Sequence, residues 1–166
     1  EADKPVPDNR YIYLFSGFKA GKVYEIIYET IGAPVIGLGF LAMRDCPSFL
    51  KYGTSKEGNP CASSIDRAFA YGASQSGRFI REFLYLGVNL DEKNRPVFDG
   101  LMPHTGSSRL GEFNLRFGQP SSNHLRNVGN VQALTYTEVT DPVTEEENSL
   151  LRRLEQKGNK PKIMAT

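Results

Sequence analysis

The sequence AFAYGASQSGRFIREFLYL occupies residues 68–86 and changes its hydrophobic period at a single serine. Residues 68–73 form a short apolar run, which is typical of a buried strand. From Gln75 to Leu86 the apolar residues recur at helical spacing, and a glycine follows directly. The stretch therefore predicts a strand, a sharp turn at Ser74 and a helix.

Similar patterns flank this unit. They predict a central strand over 23–30, a helix over 38–52 with a kink or early break at Pro47, a strand over 97–102, a helix begun by a capping box over 144–147, and a strand over 162–165. Strands that alternate with helices predict an α/β fold, with a mostly parallel sheet and helices on both faces. Residues 105–140 have no clear period and are long for a connection, which favours a functional loop or cap insertion.

The bulk composition is that of one globular domain of 166 residues, with 39% hydrophobic and 23% charged residues. A net charge of +1 provides no field that would gather nucleic acid or anionic lipid, so neither nucleic acid nor a membrane is expected as a partner. No apolar run approaches the roughly 20 residues that span a bilayer. We expect a soluble chain that is truncated at both ends, and the compartment stays open, since an export signal would stand before Glu1.

The motif Gly-Ala-Ser-Gln-Ser-Gly at 72–77 carries the chemistry. A serine on a strained strand-to-helix turn needs small residues two positions before and after it, and Gly72 and Ser76 meet this need. Such a turn lifts the Ser74 hydroxyl above the sheet as a nucleophile, while the amide of Gln75 points toward a developing oxyanion. The alternative is a Ser- and Gly-rich turn without chemistry, but the predicted strand and helix around it favour catalysis.

Residues 71–79, together with Val97-Phe98-Asp99-Gly100 and Pro103-His104, resemble bacterial α/β-hydrolase domain proteins that carry a Ser-Gln-Ser-Gly-Arg nucleophile elbow. The likeness runs from Gly17 to Pro161. It implies a partial α/β-hydrolase domain over residues 1–166 and an esterase-like serine hydrolase that acts on a small-molecule ester. No metal and no cofactor are expected.

The triad of this fold follows the chain order nucleophile, acid, histidine. Because only two more strands are predicted after Ser74, the acid and the histidine are expected beyond Thr166. The chain of 166 residues should then be inactive alone. A non-catalytic, hydrolase-like binding domain is the alternative from another functional class.

Two histidines are present, and a serine hydrolase needs one as general base. His104 follows the strand next to that of Ser74 and is interpreted as a pocket-wall residue, with a self-contained site based on His104 as the alternative. His124 lies in a polar loop and is expected to be exposed. Asp99 lies on the same predicted strand and could serve as the acid, and a turn or packing role before Gly100 explains it equally well. Asp141, before Pro142, is interpreted as a turn residue.

Arg78 stands four residues after Ser74 on the predicted helix. It either lies along the surface or bonds a carboxylate in or behind the site. Gly37, Gly39 and Ala42 match a dinucleotide-binding spacing, but Glu57 falls in a loop rather than at a strand end, so helix packing is the better explanation of these glycines.

Cys46 and Cys61 allow either one disulfide or two free thiols, and their spacing fits no metal site. The sequence gives no indication of oligomeric state.

Overall fold

The computed structural model describes residues 8, 10–29, 31–32, 35–106, 111, 113–114, 135–142 and 145–166. The chain divides into two compact units, Glu1–Pro34 and Val35–Thr166. The residues discussed for function all belong to the second unit.

The first unit forms no helix or strand within its described residues. Val23 and Ile27 are 98% and 89% exposed. The central strand predicted over 23–30 is therefore wrong for the residues that are described. An apolar, β-branched run becomes a strand only where a neighbour satisfies its backbone groups, and neither sheet of the described residues includes this segment.

The second unit contains helices and strands in alternation. In chain order these are α1 (Leu38–Tyr52), a 3-10 turn (Ser55–Glu57), β1 (Phe69–Ala73), α2 (Gln75–Tyr85), β2 (Gly100–His104), β3 (Val139–Thr140), β4 (Glu147–Asn148), α3 (Arg152–Gln156) and β5 (Lys162–Ile163).

The main sheet is parallel and has the strand order β1-β2-β5. Along β1 and β2 the register runs from Phe69 opposite Gly100 to Ala73 opposite His104. β3 and β4 form a separate antiparallel pair. The α/β class and the parallel sheet predicted from the sequence are confirmed.

The core lies between α2 and the sheet. Phe83 and Leu84 of α2 and Leu101 of β2 are fully buried, and each such side chain contributes roughly 1.5–3 kcal/mol. In β1 exposure alternates along the strand, so that Ala70 faces this core while Tyr71 is exposed on the other face of the sheet. This packing fixes the direction in which α2 leaves the end of β1.

The helix predicted over 38–52 is confirmed, but the break at Pro47 is wrong, because α1 continues to Tyr52. Contacts on both sides of the proline hold the helix. Phe40 stacks on Phe79 with 4.4 Å between ring centroids, and the Tyr52 hydroxyl donates to the Pro96 carbonyl at 2.6 Å. Such tertiary contacts outweigh the cost of about 3 kcal/mol for an interior proline.

The second strand of the sheet begins later than the predicted residue 97. The fully buried Asn89 binds the two residues that were expected to begin this strand. Its carbonyl accepts from the Val97 amide at 3.0 Å, and its Oδ1 accepts from the Phe98 amide at 2.9 Å. Pro103 lies inside β2 rather than closing it. Pro103 pairs with Gly72 of β1, but the pairing of β2 with β5 extends only to Leu101. The missing N–H of the proline therefore interrupts no hydrogen-bond ladder on the β5 side.

The capping box predicted over 144–147 is also wrong where it is described. Thr144 lies outside the described residues, Glu147 belongs to β4, and α3 begins only at Arg152. The backbone of Asp141 bonds those of Glu145 and Glu146, which closes the β3–β4 hairpin and commits this segment to strand pairing.

Two further sequence expectations have a structural counterpart. Cys46 and Cys61 are free thiols, so the disulfide alternative is not the one observed. Of the helices in the described ranges, none combines the length and the apolar character needed to cross a bilayer.

Candidate functional site

Ser74 occupies the turn between β1 and α2, so the predicted strand, turn and helix are confirmed. Its backbone has φ 54° and ψ −113°, which non-glycine residues seldom adopt. Such a conformation costs about 1–3 kcal/mol and persists only where the surroundings enforce it. The residue is exposed. The strain therefore holds a serine at the surface, at the carboxyl edge of the sheet.

Backbone hydrogen bonds enforce this conformation from both sides. The Ser74 amide donates to the His104 carbonyl at 2.9 Å and to Thr105 Oγ1 at 3.2 Å. The Ser74 carbonyl accepts from the Arg78 amide at 3.0 Å, which is the first bond of α2. The amide of Ser74 is thus bonded to the end of β2, and its carbonyl is bonded to α2.

Close backbone packing adds a steric constraint at Gly72 and Gly77. A Cβ on Gly72 would lie 2.5 Å from the Ser76 carbonyl oxygen, and one on Gly77 would lie 2.6 Å from the His104 carbonyl oxygen. Gly106 packs on Gly77 in turn, since its Cβ would lie 2.9 Å from the Gly77 carbonyl carbon. The requirement at Gly72 was expected. Those at Gly77 and Gly106 were missed, although both glycines are visible in the sequence.

Gln75 and Arg78 both lie in the first turn of α2. Gln75 is the first helical residue, so its amide is at the helix end that carries partial positive charge. Arg78 is half-buried. The oxyanion role of Gln75 and the carboxylate-binding role of Arg78 remain predictions.

His104 ends β2 at the same edge. Its ring stacks on Tyr71 with 6.3 Å between centroids, and its Nδ1 is hydrogen bonded with Thr166 Oγ1. Because Tyr71 is on the sheet face opposite α2, the ring also lies on that face. The main chain of His104 contacts the serine turn, whereas its imidazole contacts Tyr71 and Thr166. Its assignment as pocket wall or alternative base remains a prediction.

Asp99 is remote from this edge because it precedes β2. Its carboxylate accepts from Lys51 Nζ at 2.8 Å and from the Ala68 amide at 2.9 Å. Burial alone would raise the pKa of Asp99, but these two donors outweigh it and lower the pKa below its usual value. Asp99 therefore joins α1 to the amino end of the sheet. Asp141 is a hairpin residue, and His124 lies outside the described residues.

The described parts of 105–140 contact α2. Phe113 packs edge to face on Phe79 at 5.3 Å between centroids. The Gly111 amide donates to Glu82 Oε2 at 2.9 Å, and Arg81 donates to the Tyr136 hydroxyl at 3.3 Å. Most of the predicted cap lies outside the described residues, so its position over the site remains a prediction.

Burial raises the pKa of Glu82 to about 7, against the lowering effect of the Gly111 amide. Since its ordinary value is 4.5, the folded protein keeps this proton between about pH 4.5 and 7 while the unfolded chain releases it. The free energy of unfolding should therefore fall across this window, by roughly 3 kcal/mol. We expect Glu82→Gln to flatten the fall in a series of urea titrations from pH 4.5 to 8.

The exposed Glu92 provides the matched control. Glu92→Gln removes one carboxylate from the surface and is measured in the same titrations as the control for loss of a charge. An equal slope for Glu82→Gln and the wild type would contradict the assignment to Glu82.

The glycines of the dinucleotide-like spacing have a packing explanation. Gly37 precedes α1 with φ 93°, and a Cβ on Gly39 would lie 2.4 Å from Asn114 Oδ1. Residues 35–37 form no strand, and Glu57 bonds Thr54 in a local cap. Among the residues whose positions are described, no cluster of three or more His, Cys, Asp or Glu side chains is arranged to hold a metal ion.

Comparison with known families adds an independent observation. A sequence model of the alpha/beta hydrolase domain matches residues 17–158. The chain belongs to this family. The match spans β1, Ser74, α2 and β2, and its limits agree with the resemblance that runs from Gly17 to Pro161. No curated protein and no solved structure matches the sequence of this chain.

Proposed function

We propose that the protein is a serine hydrolase that cleaves carboxylic esters through an acyl intermediate on Ser74. The observation that carries the proposal is the backbone of Ser74, held at φ 54° between a parallel strand and a helix N-terminus. In an alpha/beta hydrolase such a turn presents the serine hydroxyl to a bound carbonyl.

The proposed reaction has two steps. Ser74 Oγ attacks the ester carbonyl carbon, its proton passes to a general base and then to the leaving alcohol, and the ester C–O bond breaks. Water then attacks the acyl-serine, and the carboxylic acid and the free serine are released. The amide of Gln75 is the proposed donor to the oxyanion in both steps.

The base and the acid are proposed to follow Thr166. The Thr105 amide donates to the Thr166 carbonyl at 2.7 Å, so the chain after β5 passes the carboxyl edge beside β2. A residue just beyond Thr166 would emerge at the edge that carries Ser74. This placement agrees with the order nucleophile, acid, histidine in α/β-hydrolases.

Labelling of the full-length protein with a fluorophosphonate probe tests the proposal. An activated serine reacts covalently with such a probe, so the wild type should be labelled and Ser74→Ala should not. Labelling that persists in Ser74→Ala would contradict the assignment. A full-length wild type that is folded but takes no label would favour the alternative, a hydrolase-like binding domain.

The His104 alternative has a separate readout. If His104 were the base, residues 1–166 alone would turn over a small chromogenic ester, and His104→Ala would abolish this turnover. The main proposal expects no turnover by residues 1–166.

A further inference from the structure

Thr105 directly follows β2 and lies one register step beyond the pair Ala73 and His104, which places it opposite Ser74. Its φ is 48°, so two adjacent strands are each followed by a non-glycine residue with positive φ. For a β-branched residue this conformation is a genuine outlier. A glycine or asparagine would adopt it with less strain, so the threonine side chain must be explained by what it contacts.

The contacts of Thr105 connect three strand ends. Its Oγ1 accepts from the Ser74 amide at 3.2 Å, and its own amide donates to the Thr166 carbonyl at 2.7 Å. The next residue, Gly106, packs on Gly77 at the start of α2. Thr105 is therefore fixed on both sides before its hydroxyl meets the serine turn.

The Ser74 amide is shared between the His104 carbonyl and the Thr105 hydroxyl. The carbonyl bond, at 2.9 Å, is the shorter and holds the turn to the sheet. The second bond adds a direction, because a peptide plane whose N–H is held by two acceptors has less freedom to tilt between Ala73 and Ser74. That tilt would move the Cα of Ser74 and carry its Oγ away from a bound carbonyl.

We propose that Thr105 is a positioning residue for the Ser74 nucleophile, acting through the Ser74 amide. The inference rests on the proposed function, since a position of Ser74 Oγ has a kinetic meaning only if that oxygen attacks. Reaction at Ser74 requires alignment with the carbonyl, whereas the shorter bond to the His104 carbonyl already holds the turn to the sheet. The hydroxyl of Thr105 should therefore affect turnover more than stability.

The test compares Thr105→Val, Thr105→Ser and Thr105→Ala in the full-length protein. Valine keeps the branched shape and removes the hydroxyl, while serine and alanine differ only in the hydroxyl. We expect Thr105→Val and Thr105→Ala to lower kcat and the rate of fluorophosphonate labelling about tenfold, which corresponds to one hydrogen bond. KM and Tm should change little, and Thr105→Ser should stay within about threefold of the wild type. Thr140→Val, an exposed threonine of β3, is the control.

Equal labelling rates for Thr105→Ser and Thr105→Ala would overturn the inference, even if Thr105→Val folds poorly. A loss of Tm that matches the loss of rate in both hydroxyl-free variants would also overturn it, because the role would then be structural. If the wild type is not labelled at Ser74, the proposed function fails and the inference fails with it. If the wild type is labelled at Ser74 and the Thr105 variants are labelled at the wild-type rate, the proposed function stands and the inference alone is wrong.

Discussion

Ser74→Ala is expected to lower kcat for ester hydrolysis by at least about 10⁴-fold, since removal of a serine nucleophile removes the covalent route and leaves only binding and oxyanion stabilisation. Folding should be preserved. Ser74 is exposed, and the bonds that hold its turn are made by its backbone, which alanine retains. Steady-state hydrolysis of a chromogenic ester and thermal melting of both proteins measure the two effects.

Ser76→Ala is the matched control for this loss. Ser76 is an exposed serine two residues further along α2, and its hydroxyl is not required by the proposed reaction. It should retain activity within a few-fold of the wild type. Comparable losses in the two variants, or a Ser74→Ala protein with wild-type turnover, would contradict the role of Ser74.

Gly77→Ala is expected to abolish activity and to lower the free energy of unfolding by about 2–3 kcal/mol. The added Cβ would lie 2.6 Å from the His104 carbonyl oxygen, 3.0 Å from the Gly72 carbonyl oxygen and 3.2 Å from the Cα of Gly106. All three are backbone atoms, which cannot yield as a flexible side chain would. Alanine gains about 1 kcal/mol in helix propensity over glycine, but the steric cost is larger.

The damage should be greatest at the serine turn, because the nearest clashing atom is the carbonyl that binds the Ser74 amide. Urea titration and ester hydrolysis measure stability and activity in the same preparation. Gly158→Ala is the control, since Gly158 has φ 68° but no atom within 4 Å of an added Cβ. It should cost about 1 kcal/mol and leave turnover intact. A stable, active Gly77→Ala would show that the turn tolerates a side chain there.

The fold around Ser74 could be predicted because several local signals agree. The apolar run of β1, the helical period of α2 and the small residues between them all indicate one structure. The predictions failed where tertiary contacts decide. Residues 23–30 have the composition of a strand but no ladder partner within the described residues. The amides of Val97 and Phe98 donate to Asn89, so these two residues are not part of β2.

The candidate site could be predicted only as far as it is contiguous in sequence. One contiguous motif contains Gly72, Ser74 and Gln75, so the sequence alone predicts that they lie close together. Thr105 and Thr166 reach the same edge because three parallel strands end there, and their register is set by the sheet rather than by any spacing in the chain. Prediction of their contacts requires the strand order β1-β2-β5, which the sequence pattern does not specify.

Peptide mapping of the fluorophosphonate adduct tests the central claim most directly. The full-length protein is labelled, digested and fragmented in a mass spectrometer, and the modified residue is identified. We predict one adduct, on Ser74, with Ser76 unmodified in the same peptide. An adduct on another residue, or no adduct on a folded protein, would contradict Ser74 as the nucleophile.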